Sequence, residues 1–226
     1  MIKQQNYIKY IWLFFFVLPN SQIPNTWYDW CSNDSNSLLI NDIDNIITSI
    51  GDKKYYLSKN SFFQVNKYLT KELYDLVRKA INKPYKVCLD LYCGTGSIGI
   101  YISDLVDNII GIDNNKSNIE DAEKNIKLSN ITNIKFICDN VENKIDSFKD
   151  INLIIVDPPR SGLDNKTRKY LKTINPERII YVSCDPVTLA RDIKDLSDNY
   201  NILEITPINL FPRTYHCETI AVLEKR

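Results

Sequence analysis

Helix-like and strand-like apolar periods alternate along most of this chain. Leu69, Leu73, Leu76, Val77 and Ala80 recur at helical spacing up to Asn82-Lys83-Pro84, which predicts an amphipathic helix. Short apolar runs predict strands at 86–91, 109–113, 134–138, 153–156 and 179–182. Helices are predicted between them at 97–106, 116–128 and near 166–172, and again after Pro186, where Leu189, Ile193 and Leu196 share a face. Such alternation builds βαβ units on a parallel sheet. The end differs: 201–208 and 219–223 are strand-like with no helix between them. That predicts a terminal hairpin bringing one antiparallel strand into the sheet. Upstream, 37–57 reads as short strands broken at Gly51, and 19–36 as aperiodic loop rich in Asn, Ser, Pro and Trp.

Composition narrows the class. A hydrophobic content of 44% and a charged content of 25% fit a globular protein with a sizeable core. The formal charge is zero, so no global positive field points to nucleic acid. Lys166, Arg168, Lys169 and Lys172 form the densest basic cluster, which reads equally as an RNA patch or as a solvated helix face. Six cysteines without a CxxC pair suggest reduced thiols and a cytoplasmic protein rather than a disulfide framework. The apolar run at 11–18, preceded by Lys3 and Lys9, faintly resembles a signal peptide but is too short to span a bilayer. No membrane association is expected.

Three strand ends carry chemistry. After the strand at 86–91, Gly94, Gly96 and Gly99 form GxGxxG opening a helix, with Asp113 about twenty positions on. This spacing fits a nucleotide-containing cofactor whose ribose diol meets Asp113. Asp90, within the strand, suits a cationic amino-acid group better than a pyrophosphate, which favours S-adenosylmethionine over a nicotinamide cofactor. Next, Asp157-Pro158-Pro159-Arg160 ends a strand with two prolines that hold the backbone extended and offer carbonyls. A plain strand-ending turn is the alternative. Finally, Ser183-Cys184-Asp185-Pro186 joins a strand to a helix. Pro186 suits the first turn and Asp185 the cap, and free amides there are expected to favour the Cys184 thiolate. A buried structural cysteine is the alternative.

In combination, SFFQVN, DLYCGTGSIG, DPPRSGLD, YVSCDPVTLARD and FPRTYHCETIAVLEK resemble the RNA (uracil-5-)-methyltransferase family, which makes 5-methyluridine in tRNA and 23S rRNA. The resemblance implies a Rossmann-like, S-adenosylmethionine-dependent methyltransferase of α/β class, with a mostly parallel seven-stranded sheet and a carboxy-terminal antiparallel hairpin. It implies that Gln64, Tyr92, Asp113 and Asp157 contact S-adenosylmethionine, that Gly94 and Gly96 shape its loop, and that Asn140 is a further candidate. Cys184 matches the family nucleophile and Glu218 its general base. The implied reaction is methylation of uracil C5 in tRNA or rRNA through an adduct between Cys184 and uracil C6. The alternatives are another nucleobase as target, or a weakly active or inactive remnant that binds cofactor or RNA. His216 and Arg160 have no settled role. Only Cys31 precedes Cys88, so an iron–sulfur cluster of the kind some members hold is not expected. The expected organisation is an unassigned extension at 1–36, a remnant of a central β domain at 37–60 and a catalytic domain at 61–226, acting as a monomer.

Overall fold

Seven strands form one sheet in the order β5-β4-β3-β6-β7-β9-β8. The computed structural model describes residues 45–58, 66–210 and 217–226. A separate two-stranded hairpin comes first, β1 (Asn45–Ile50) and β2 (Lys53–Ser58), turning at Gly51. Helix α1 (Lys67–Ala80) leads into β3 (Tyr85–Leu91), α2 (Ser97–Tyr101), β4 (Val106–Asp113), α3 (Lys116–Leu128) and β5 (Ile134–Cys138). A short α4 (Val141–Lys144), β6 (Leu153–Val156), α5 (Asn165–Ile174), β7 (Arg178–Ser183) and α6 (Pro186–Leu196) follow. The hairpin of β8 (Tyr200–Ile208) and β9 (Glu218–Lys225) inserts β9 antiparallel to β7, and the other pairings from β5 to β7 are parallel. The expected α/β class and single antiparallel strand are present.

Central strands β6 and β7 are buried along their whole lengths, the signature of a sheet covered on both faces. One face packs under α1, α2 and α3, with Leu73, Ile100, Cys88, Ile155, Ile180 and Val182 in a single cluster. The other packs under α4, α5 and α6, with Leu89, Leu91, Ile154, Val156, Tyr181 and Leu189. Side chains alternate faces along each strand, so cluster membership fixes which way every neighbouring residue points.

Helix α2 is shorter than the periodicity predicts. It stops at Tyr101, a 3-10 turn spans Ser103–Leu105, and Val106 already pairs with Tyr85. The Ser103 hydroxyl donates to the Ile100 carbonyl at 2.9 Å, and Asn133 Nδ2 donates to the carbonyls of Ser103 and Val106 at 2.7 and 2.8 Å. Side chains therefore satisfy carbonyls that a longer helix would use.

The basic cluster on α5 is largely neutralised. Lys166 pairs with Asp146 at 2.7 Å, Lys172 with Asp195 at 2.7 Å, and Arg168 with Asp192 and Asp195 at 3.2 and 3.0 Å. These pairs favour the reading of α5 as a solvated, ion-paired helix face. No helix among the described residues is long and apolar enough to cross a membrane.

The first hairpin hangs on α3 by polar bonds. Tyr56 N donates to Asn125 Oδ1 at 2.6 Å and Ser58 N to Asp121 Oδ2 at 2.7 Å. Buried Asn125 also donates to the Thr95 carbonyl at 3.2 Å, so one side chain ties the hairpin to the glycine-rich loop. Asn125→Ala leaves two backbone groups without partners and should lower unfolding free energy by about 1–3 kcal/mol. Urea denaturation measures the loss, and faster amide exchange at Tyr56 would locate it. An unchanged midpoint would show that the bridge carries no stability.

Candidate active site

Five chemically equipped residues reach the carboxyl edge of the sheet on the same face. Asp90 alternates with Cys88, Asp113 with Ile109, Asp157 with Ile155, Cys184 with Val182, and Glu218 with Ile220, and each of those apolar partners belongs to the α1–α3 cluster. The period of two along a strand therefore gathers four carboxyl groups and a thiol. All five line a cleft of about 630 Å³, together with Tyr74, Tyr92, Gly94, Thr95, Ser97, Asn140, Glu142 and Arg160.

Cys184 and Glu218 face each other across a strand pair. Strand β9 pairs with β7 as Val182↔Ile220 and Ser183↔Thr219, and one further step in that register sets Cys184 opposite Glu218. A turn holds Cys184: the Ser183 hydroxyl donates to the Asp185 carbonyl at 2.9 Å and accepts from Asp185 N at 3.2 Å. Asp185 caps α6, its Oδ1 accepting from Val187 N and Thr188 N at 2.8 and 3.0 Å, with Pro186 in the first turn.

The expected thiolate is not favoured here. The first amides of α6 are spent on Asp185 rather than offered to sulfur. Burial pushes the Cys184 thiol above its ordinary range, the charges of Glu218 and Asp157 push it further, and the Arg160 guanidinium only partly offsets them.

The carboxyls respond to the same enclosure. Burial raises Glu218, 4% exposed, to about 7 against the pull of Arg160, and its Oε2 has no hydrogen-bond partner among the described residues. Burial also holds Asp157 well above the usual carboxylate range, with Glu218 and Asp90 adding to the effect. Asp90 is 1% exposed and raised by burial to about 7, despite the Gly99 amide donating to its Oδ2 at 3.1 Å; the charge of Asp113 adds to the rise. Its Oδ1 has no partner among the described residues. Gly99 allows this approach, because a Cβ there would sit 3.0 Å from Asp90 Oδ2.

The glycine-rich loop closes over Asp113. Gly94 N donates to Asp113 Oδ2 at 3.0 Å, while Asn115 N and Asn118 Nδ2 donate to Oδ1 at 2.8 and 3.1 Å. Gly94 has φ +54° and open space where a Cβ would stand, so its backbone is accessible to a ligand. Gly96 does not line the cleft. It turns the chain at φ +74°, where a Cβ would lie 2.4 Å from Phe136 Cζ. Tyr92 adopts φ +63°, a left-handed conformation that costs a non-glycine residue about 1–2 kcal/mol. Its hydroxyl donates to Glu142 at 3.3 Å. Asn140 lies at the rim, its Oδ1 accepting from Asn114 at 2.9 Å. Gln64 and His216 fall outside the described residues.

Tyr74, Ser97 and Glu142 are among the lining residues that the sequence reading did not single out. Tyr74 and Ser97 join through their hydroxyls at 2.6 Å. Tyr74 neighbours Leu73 on the apolar stripe of α1, and nothing in that pattern separates a core tyrosine from one whose hydroxyl reaches a cleft.

Residues 38–226 match the tRNA (uracil-5-)-methyltransferase family. The chain belongs to that family. An uncharacterized RNA methyltransferase of Caldanaerobacter subterraneus subsp. tengcongensis is 40% identical over 182 residues, 78% of this chain and 40% of the relative. One from Staphylococcus aureus strain COL is 37% identical over 184 residues, 79% of this chain and 41% of the relative. This family member thus spans about two-fifths of the length of the curated relatives it matches. A crystal structure of the Pyrococcus abyssi tRNA (uracil-54, C5)-methyltransferase in complex with S-adenosyl-L-homocysteine superposes with a TM-score of 0.73 at 36% identity, covering 80% of this chain and 44% of that one.

The carboxyl of Asp90 makes a pH test possible. Below about pH 4 it is protonated in both folded and unfolded chains. Between there and about 7 the unfolded chain ionises while the folded one keeps its proton, so Asp90 subtracts up to about 4 kcal/mol as pH rises. Asp90→Asn lacks this loss. The stability difference between variant and parent should therefore grow in the variant's favour from pH 4 to 7 in denaturation curves. Parallel curves would show that Asp90 ionises normally.

Proposed function

We propose that this protein methylates C5 of uracil in an RNA, with S-adenosylmethionine as donor. The observation that carries this reading is a thiol and a carboxyl in facing register, Cys184 and Glu218, in the same cleft as the Asp90 and Asp113 carboxyls. The cleft fits the donor's chemistry. The buried, unpartnered Oδ1 of Asp90 suits an ammonium group, Asp113 at the β4 tip suits a ribose diol, and Gly94 leaves its backbone open. Tyr92, Asp157 and Asn140 line the same space, Gly96 sets the loop, and Gln64, outside the described residues, is the remaining expected contact. When bound, S-adenosylmethionine supplies an electrophilic methyl group.

The chain's own residues supply the rest. C5 of uracil is a weak nucleophile. The Cys184 thiol gives up its proton to solvent as Sγ adds to C6; the S–C6 bond forms and the C5–C6 π electrons move toward C5 and O4, making C5 nucleophilic. Once C5 carries the methyl group, the Glu218 carboxylate takes the C5 proton. The C5–H electrons reform the C5–C6 double bond and the S–C6 bond breaks. A carboxyl titrating near 7 suits that step, because it holds a proton in one half of the cycle and accepts one in the other. Enclosure of the cleft requires the target base to be unstacked from an RNA loop. In the same reading, β1 and β2 are this chain's part of a central β domain and 61–226 is the catalytic domain. With zero formal charge and α5 ion-paired, RNA binding should be weak and strongly salt-dependent.

Loss of the Asp113 carboxylate should weaken S-adenosylmethionine binding by about 1–3 kcal/mol in the Ala variant. Calorimetry checks this: unchanged affinity removes Asp113 from the site, and preferential binding of NAD overturns the cofactor assignment.

Cys184→Ala should abolish methylation and leave no protein–RNA adduct. Glu218→Gln should form the S–C6 bond and accept the methyl group, yet fail to release the product. The expected species migrates slowly on denaturing gels, carries methyl label from the cofactor, and disappears in the double variant. Normal turnover by Glu218→Gln would exclude Glu218 as the base. Reduced stability without an adduct would instead make it a structural carboxyl.

A further inference from the structure

We propose that Asp192 is a positioning residue for Cys184, acting from the opposite face of the sheet; this rests on the reading of Cys184 as nucleophile. Asp192 is fully buried and does not line the cleft. Its Oδ2 accepts from Leu163 N and the Tyr181 hydroxyl, both at 2.8 Å. Its Oδ1 accepts from Arg191 Nε at 2.9 Å and Arg168 Nη1 at 3.2 Å. The two guanidinium groups then reach the loop after β6: Arg191 Nη2 donates to the carbonyls of Ser161 and Leu163 at 2.9 and 3.2 Å, and Arg168 Nη1 to that of Leu163. Thr188, in the first turn of α6, donates to the Arg160 carbonyl at 3.1 Å.

The polar backbone of the 160–163 loop is thus held largely by α6, the helix capped directly after Cys184. The loop carries Asp157 and Arg160 at one end, and both line the cleft and act on the Cys184 thiol. Nucleophile and facing groups are consequently set relative to each other through Asp192. Gly162 shows how close the fit is: at φ +72°, a Cβ there would lie 2.6 Å from both Arg191 Nη2 and Asp192 Oδ2. A buried ion cluster adds little net stability, because desolvation offsets much of the attraction, but its directional bonds fix geometry.

The test uses Asp192→Asn and, because removing a buried charge between two arginines risks the fold, Gly162→Ala, which keeps every charge and displaces the loop. Methyl transfer to tRNA and rRNA pools is measured with iodoacetamide alkylation, followed cysteine by cysteine on peptides. Cys88, fully buried in the core, reports global opening. Both variants should lower kcat by about a hundredfold while keeping S-adenosylmethionine affinity within about twofold, as misplacement of a reacting group predicts. Cys184 should alkylate several-fold faster once the loop that lines the cleft beside it is displaced, while Cys88 stays unreactive. Parental kcat and Cys184 alkylation in a folded variant would overturn the proposal. So would exposure of Cys88 in step with Cys184 in both variants, which marks a merely structural role. If the parent protein methylates neither pool, the functional reading fails, and the contrast between Cys184 and Cys88 still decides whether Asp192 positions the thiol.

Discussion

The alternation of side chains along five adjacent strands is the constraint on which this molecule depends. Because β3, β4, β6 and β7 end, and antiparallel β9 begins, at one edge, residues of like parity reach the same side there. That geometry brings four carboxyls and a thiol under α1–α3. It separates them from Tyr181 and Asp192, which lie on the other face. A shift of one residue in the register of β9 would turn Glu218 away from the cleft and bring Cys217 or Thr219 into its place. The buried pairing of Ile220 and Val222 with Val182 and Ile180 opposes such a slip, so the core fixes the chemistry at its edge.

Enclosing that many acids in one cleft has an electrostatic consequence. Burial pushes each of Asp90, Asp157 and Glu218 toward its neutral form, and their mutual repulsion adds to it for Asp157. Burial first, and the charges of Glu218 and Asp157 when they ionise, keep the proton on Cys184 against the helix start that would otherwise favour a thiolate. Removing the Glu218 or Asp90 charge therefore relaxes Asp157, whose titration is tied to theirs.

Much of this was legible in the residues. The strand at Leu153–Val156, the helix at Lys116–Leu128 and the terminal hairpin follow from apolar period alone, and Asp185 and Pro186 announce the start of α6. What the sequence hid was competition between local options. Ser103 captures the Ile100 carbonyl of α2 and Asn133 holds the carbonyls of Ser103 and Val106 just beyond it, and Asn133 is too distant in sequence for any window to include. Likewise Asp185, read correctly as a cap, was not recognised as consuming the amides assigned to sulfur. The acids that neutralise α5 lie outside it, on α6 and after α4, so its charge run looked unopposed until the tertiary fold paired it. Tyr74 was hidden for a simpler reason: periodicity assigns a face, while a hydroxyl's destination depends on what packs above it.

The same charges bear on what the cleft admits under the proposed reading. Whatever charge these acids carry is negative and repels phosphate, so an RNA backbone gains nothing by entering. An uncharged base meets no such penalty and can replace water against Tyr74, Tyr92 and Pro158. In that reading Arg160, exposed at the rim beyond the two prolines, would face a phosphate left outside, and selection would work by exclusion. The cleft sorts a base from its backbone by charge, and sequence discrimination among RNAs must come from contacts outside its walls.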